Sequence, residues 1–272
     1  MKTINVYGLP ELLDPESISG EAAVVIDVLR ATTTTITAVA NGVRTVVPVL
    51  EIEETKKLKS KILAGKDARF SYPVAESDIL LGGERRGNKI DGFDLGNSPS
   101  EYTTEKIGGK IVLFSTTNGT RAMHRVRFAE SIYLASFLNA QAVAEKTASQ
   151  DKLNIICAGT YGKITEEDMY LAGFLVEKIL RITRLSSSDI ELNVQAISAL
   201  NMWSELFTPS IHLGLEQLTP MRLGKALENT SGGKNLRSIG LTDDIYLASQ
   251  FDSIGIIVRL EPKKMIVEQT NC

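Results

Sequence analysis

Ala22-Ala23-Val24-Val25-Ile26-Asp27-Val28-Leu29-Arg30-Ala31-Thr32-Thr33-Thr34-Thr35 begins with an apolar run and stops at an acid. Such a run reads as a buried parallel strand, and Thr32 to Asn41 can wind into a helix that Gly42 closes. Asp27 then stands at the carboxyl end of a strand, the edge where ligands sit in open α/β sheets. The helix N-terminus beyond it offers unpaired N–H groups beside Arg30 and several hydroxyls. An acid to hold a cation, with a base and donors to hold an anion, is the equipment of a phosphate-ester site. The plainer reading is that Asp27 and Thr32 cap a helix.

Working outward, the alternation continues. Val43 to Leu50 is a β-branched strand and Glu51 to Leu63 a charged helix; Lys110 to Ser115, Ser131 to Ala135 and Leu153 to Ala158 are further strands. Helices follow at Leu138 to Ala148 and from Thr165 to about Arg184. Strand-helix alternation predicts an α/β fold with three layers, α/β/α, around a largely parallel or mixed sheet. Asp78 to Leu81 reads as a short strand, and Gly82 to Tyr102 as a long loop kept for function. From Ser188 to Gln250 the pattern is helical, with breaks expected at Pro209, Pro220 and Gly232-Gly233, before a last strand at Ile254 to Leu260 and a polar tail. We therefore expect one domain over residues 1–272, with a helical lobe at about 188–252.

Composition excludes several classes of function. The 272 residues carry a net charge of −3 with no basic cluster, which argues against nucleic acid or an anionic membrane as partner. No apolar run reaches spanning length and the first residues lack a signal-peptide core, so the chain is expected to be cytoplasmic. Two cysteines, Cys157 and Cys272, and two histidines, His124 and His212, make neither a disulfide framework nor a zinc cage. The surface for a second copy is not separable from helix-packing faces, so a homo-oligomer stays open.

Three strand-to-helix turns share one grammar: Asp27 to Thr35, Thr116 to Arg121 and Ala158 to Asp168. In a parallel sheet all three emerge at one edge. Thr116-Thr117-Asn118-Gly119-Thr120-Arg121 supplies hydroxyls, an amide, a glycine and a guanidinium fork for phosphate or sulfonate, although Asn-Gly is also an ordinary turn. Glu84, Asp94 and Asn97 are hard oxygen donors that suit Mg²⁺, and Arg85 and Arg86 can reach an anion. Glu166, Glu167 and Asp168 are either acids complementing a helix dipole or a source of a metal ligand or base. There is no Asp-x-Asp nucleophile motif, no P-loop and no Gly-x-Ser-x-Gly elbow. Cys157 reads as a buried structural thiol. What survives is a carboxylate-held Mg²⁺ that polarises a phosphoryl group for attack by water.

Val25 to Thr34, Gly82-Gly83-Glu84-Arg85 with Gly92-Phe93-Asp94-Leu95-Gly96-Asn97-Ser98-Pro99, and Thr116 to Arg121 together resemble the ComB family, the 2-phosphosulfolactate phosphatases. Cys157-Ala158-Gly159-Thr160 and Glu167-Asp168 continue the match in order, over about residues 20 to 175. The resemblance implies a Mg²⁺-dependent acid phosphatase that cleaves 2-phospho-3-sulfolactate to 3-sulfolactate and phosphate. That step lies on routes to coenzyme M in methanogens and to sulfolactate in some bacteria. The shared positions are Asp27, Arg30, Thr32 to Thr34, Glu84, Arg85, Asp94, Asn97, Asn118, Gly119, Thr120, Arg121, Cys157, Glu167 and Asp168. On that resemblance we expect Asp27, Glu84 and Asp168 at the metal, with Asp27, Asp168 and Glu167 as catalytic groups. Arg30, Thr32, Thr33, Arg85, Asn97, Asn118, Gly119, Thr120 and Arg121 are expected to bind a small anionic phosphorylated substrate. The chain departs from the family pattern at Asp91, where Pro is common, and over Asp243 to Gln250, where Cys-Leu-Gln is usual. Two alternatives stay open: a phosphatase for another phosphorylated hydroxy acid, and a non-catalytic binder of small anions.

Overall fold

The computed structural model describes the backbone of residues 1–212 and 219–270, and the side chains of residues 1–206 and 219–270. The chain runs β1 (Thr3–Tyr7), β2 (Ala22–Ile26), α1 (Ala31–Ala40), β3 (Thr45–Pro48), α2 (Ile52–Leu63), β4 (Ile79–Arg85) and β5 (Asn88–Lys89). It continues with α3 (Thr104–Ile107), β6 (Ile111–Ser115), α4 (Gly119–Arg125), β7 (Ser131–Ala135), α5 (Ala140–Thr147), β8 (Lys152–Cys157) and α6 (Glu166–Thr183). The last part holds β9 (Glu191–Leu192), α7 (Val194–His212), α8 (Pro220–Asn229), α9 (Ser231–Ser238), α10 (Thr242–Ala248), β10 (Ile257–Glu261) and β11 (Ile266–Thr270). Among the described residues, no helix is long and apolar enough to cross a membrane.

These strands form one mixed sheet in the order β5-β4-β6-β3-β11-β10-β7-β2-β8-β1-β9. Every residue of β2 is buried, as expected of an interior strand covered on both faces. β7, β2, β8 and β1 run parallel to one another, as do β3, β6 and β4, but β10 and β11 join the two sets through three antiparallel pairings. The two sets therefore run in opposite senses. This corrects the expectation of a single parallel edge: the three turns do not leave one edge of one parallel sheet. They nevertheless meet, with Glu84 accepting the Thr117 N–H and Gly119 lying against Asp27, in a sheet whose strands twist by about 20–25° each and so curve it. Within that curve α1 and α4 touch strands of both sets.

Helices cover both faces. Ala23, Val25, Val112 and Phe114 pack with Ile36, Ala122 and Met123 on the inner side. On the outer side of β1, β2 and β8, helices α5 to α10 bury a core with Phe137, Phe174 and Trp203 at its centre, the last two rings 4.7 Å apart. α2 closes the outer side of β3, β4 and β6 through Ile62 against Val47, Leu81 and Leu113.

Several expectations need correction. β4 continues through Gly82 to Arg85, and Leu95 bridges back to Gly82, so the supposed loop from Gly82 begins as strand; two glycines leave no side-chain period to read. β1 and β11 went unexpected. β11 buries only Val267, yet pairs with β10 and β3. α7 carries on through Pro209, and the break expected at Gly232-Gly233 falls just before them, at Thr230 between α8 and α9, with both glycines inside the first turn of α9. Pro220 does mark a boundary, at the first position of α8 with Thr219 as its cap. Gly42 closes α1 as expected, with φ at +82°. Cys272 and the side chain of His212 lie outside the described residues.

Candidate active site

The first wall of the site is the turn between β2 and α1. Asp27 Oδ1 accepts the Ala31 N–H at 3.1 Å, so the acid does cap the helix. Thr32 Oγ1 donates to the Asp27 carbonyl and accepts the Asp27 N–H, which fixes the backbone that carries the carboxylate. The other oxygen lies against α4: a Cβ on Gly119 would come within 2.6 Å of Asp27 Oδ2, so only glycine lets that helix start so close. Burial pushes the Asp27 carboxyl up to about 7, and the neighbouring Glu84 and Glu167 carboxylates add to it against the Ala31 N–H.

Glu84, at the end of β4, ties two turns together. Its oxygens accept the Gly87 N–H at 2.7 Å and the Thr117 N–H at 2.8 Å. Asp168 does the same for the other half of the sheet, accepting from Val28 N at 2.9 Å and Gly159 N at 3.0 Å. Its burial beside Asp27 and Glu167 raises its carboxyl well above the usual range. Glu167 sits on the same first turn of α6, and no side chain would fit on Gly232 beside its Oε1. Burial raises the Glu167 carboxyl too.

The C-terminal helices close the site. Arg30 Nη1 pairs with Asp244 Oδ2 of α10 at 2.7 Å, with both side chains 3% exposed, and Arg30 Nη2 donates to the Gly87 carbonyl at 2.9 Å. Ser98 Oγ donates to the other Asp244 oxygen at 2.6 Å. From α9 come Ser231, Gly232, Asn235 and Leu236, which with Asp27, Arg30, Glu84, Asn97, Thr117, Asn118, Thr160 and Tyr161 line a cavity of about 90 Å³. Four buried side-chain polar atoms lack a partner among the described residues, and three of them belong to this neighbourhood: Asn97 Oδ1, Thr117 Oγ1 and Glu167 Oε2. Buried oxygens are rarely left so, and three together mark a place for a ligand.

The family comparison gives this cavity its context. The model of the 2-phosphosulpholactate phosphatase family matches residues 7–263. The chain belongs to that family. Its members are phosphatases, and this chain is accordingly a phosphoric monoester hydrolase. A relative from Caldanaerobacter subterraneus subsp. tengcongensis, named a probable 2-phosphosulfolactate phosphatase, is 39% identical over 259 residues, 95% of each chain. One from Symbiobacterium thermophilum with the same name is 38% identical over 89% of this chain and 92% of its own. A third, from Thermotoga petrophila, reaches 45% over 58% of this chain and 63% of its own.

Within this phosphatase the expected site residues divide. Asp27, Arg30, Glu84, Asn97 and Asn118 line the cavity together. Thr32 and Thr33 are fully buried behind it, outside the lining, and the Thr33 hydroxyl donates to the Val28 carbonyl at 2.7 Å, so both help to build the turn. Thr120 likewise bonds only Thr116, and Gly119 serves close approach. Arg85 is turned away from the cavity, its guanidinium held by the carbonyls of Glu84, Leu50 and Ser115 and by Ser115 Oγ. Arg121 is exposed on α4 outside the lining. Asp168 stands one layer behind Asp27. Among the described residues no three His, Cys, Asp or Glu side chains are grouped to hold a metal, so Asp27, Glu84 and Asp168 do not form a preassembled trio. Cys157 is fully buried, as expected of a structural thiol, and burial and the nearby Asp168 and Glu167 drive its thiol well above its ordinary range. Asp244, Ser231 and Asn235 carry no motif. Only the departure from the family pattern over Asp243 to Gln250 pointed near one of them.

Proposed function

We propose that the cavity hydrolyses 2-phospho-3-sulfolactate to 3-sulfolactate and phosphate, with Mg²⁺ as cofactor. The observation that carries this reading is the unpartnered buried oxygens of Asn97, Thr117 and Glu167 beside Asp27. Every one of these atoms is an oxygen, the donor chemistry of a hard dication that needs only one or two carboxylates. Asp27 and Glu84, with Asn97 and Thr117, would hold the ion. When bound, Mg²⁺ neutralises charge on the phosphoryl group.

The remaining groups act on the ester. Arg30, locked by Asp244, presents a fixed cation to the substrate, and Asn118 and Asn235 offer amide donors. Glu167 has an oxygen without a partner and a carboxyl raised by burial, which suits it to take a proton from the attacking water. Water adds to phosphorus, the ester P–O bond breaks with its electron pair going to the departing oxygen, and the proton that Glu167 took from water passes to that oxygen to give the hydroxyl of 3-sulfolactate. Asp168 ties the two strand ends together by accepting the Val28 and Gly159 N–H groups.

The test is phosphate release from 2-phosphosulfolactate beside phospholactate and an aryl phosphate, with Mg²⁺ and then with EDTA. Release that needs Mg²⁺ and prefers the sulfonate is expected. Equal turnover of phospholactate would move the substrate to a wider class of phosphorylated hydroxy acids. No release from any ester, with sulfolactate still bound, would replace the enzyme with an anion binder.

A further inference from the structure

A second hollow, of about 870 Å³, is lined in part by Leu50, whose carbonyl accepts from Arg85, and shares no lining residue with the catalytic cavity. This volume falls in the usual range for small-molecule sites, about 300–1,000 Å³. Its rim is basic. Lys57 and Lys61 come from α2, and Lys263 and Lys264 from the turn between β10 and β11, with Arg69 beside them; Glu54 is the one acid of the lining. Arg69 is matched by Asp67 at 2.7 Å, whereas none of the four lysines forms an ion pair among the described residues.

That arrangement needs a reason in a chain of net charge −3. Lys57 and Lys61 stand at i and i+4 on one helix, where like charges oppose the helix instead of supporting it. Facing lysines across a concave surface raise the local concentration of anions. The floor is apolar, built from Val49, Leu58 and Met265, so a bare inorganic ion would leave it uncovered.

The floor also connects to the catalytic cavity. The Leu50 carbonyl accepts Arg85 Nη2 at 2.9 Å, and Arg85 adjoins Glu84. His124 Nε2 lies 3.1 Å from the Pro48 carbonyl, and the helix that carries His124 begins at Gly119, against Asp27. We infer that this hollow is an effector site for an organic anion with an apolar body, whose occupancy bears on phosphate release through the Leu50–Arg85 contact and α4. The inference stands apart from the identity of the catalytic substrate.

The probes are ADP and 8-anilinonaphthalene-1-sulfonate, titrated with inorganic phosphate saturating the catalytic cavity. One site is expected for at least one probe. The exposed pairs Lys57→Glu with Lys61→Glu, and Lys263→Glu with Lys264→Glu, are expected to weaken it tenfold or more with an unchanged unfolding midpoint. Bound probe is expected to change the rate of phosphate release at least twofold in the parent and not in the reversed variants. Binding of neither probe, or binding that charge reversal leaves unchanged, overturns the site. Charge-dependent binding with no effect on turnover overturns the effector role. These readouts compare rates with and without probe on whichever ester the enzyme turns over, so failure of the sulfonate assignment leaves them intact.

Discussion

The lining of the catalytic cavity and the layer of buried polar residues directly behind it use the same residue types to opposite ends. Behind the lining, Thr32, Thr33 and Thr120 bond to the backbone of their own turns, while Asp168 and Arg85 bond to backbone groups of other turns and join them. At the lining, Asn97 and Thr117 keep buried oxygens without partners, as does Glu167 beside Gly232. A saturated polar group makes structure, and an unsaturated one waits for a ligand. Asp27 belongs to both layers, since one oxygen caps α1 while the carboxylate reaches the cavity wall.

The largest effect that separates the two layers is expected at Asp27. Asn at this position keeps an oxygen for the Ala31 N–H but loses the charge, so Mg²⁺-dependent phosphate release should fall about 10³-fold or more while the fold persists. Steady-state kinetics with circular dichroism measures both; turnover within tenfold of the parent would take Asp27 out of the metal site. Asp244→Ala comes next. It strands Arg30 in a pocket where both partners are 3% exposed, and loss of one member of such a pair costs about 3–5 kcal/mol. Denaturant unfolding should show that loss, and KM should rise because Arg30 is no longer held. A stability change below about 1 kcal/mol would mean the pair behaves as a surface contact.

Much of the lining was legible because it comes from short local motifs. An acid ending an apolar strand, as Asp27 does, and an Asn-Gly turn after another strand are visible without knowing the fold. The layer behind could not be told from the lining for the same reason: a threonine that caps and a threonine that binds have the same letter, and Arg30 and Arg85 differ only in where the chain later places Asp244 and Leu50. The α9 and α10 contribution, Ser231, Asn235 and Asp244, was hidden because burial of a polar residue on a short helix depends on what packs over it. β11 was hidden too, being a polar strand whose partners alone make it one.

A smaller and pH-dependent difference follows from Asp27. Its carboxyl has an ordinary value of 3.8 and stands at about 7 when folded, so folding takes up a proton between those limits. The stability tied to that proton is present below pH 3.8 and is lost as pH rises through 7, at about 1.4 kcal/mol per pH unit for each proton. Asp168 and Glu167 are shifted the same way and add to the slope. In metal-free buffer, unfolding midpoints should therefore fall from pH 5 to 7, and Asp27→Asn should remove about one proton's share. Parallel pH profiles for the two proteins would contradict the assignment. Thr33→Val is a purely structural probe of the rear layer. It removes the 2.7 Å bond to the Val28 carbonyl, costs about 1 kcal/mol, and should leave turnover within about twofold.

The smallest effect is expected where the motif looked strongest. Arg121 ends the Asn-Gly-Thr-Arg run and was expected to grip the substrate, but it lies on the exposed side of α4 and outside the cavity lining. An exposed arginine with no buried partner can change stability by only about 0.5 kcal/mol, and the cation at the cavity is already Arg30, fixed from two sides by Asp244 and the Gly87 carbonyl. Arg121→Ala should therefore leave kcat and KM within about twofold, while Arg30→Lys, which keeps charge but loses the planar fork, should raise KM about tenfold or more. Measuring both variants on the same ester decides between the two guanidinium groups. If Arg121→Ala loses more than Arg30→Lys, α4 must turn its outer face to the substrate, and the division between lining and supporting layer fails at that helix.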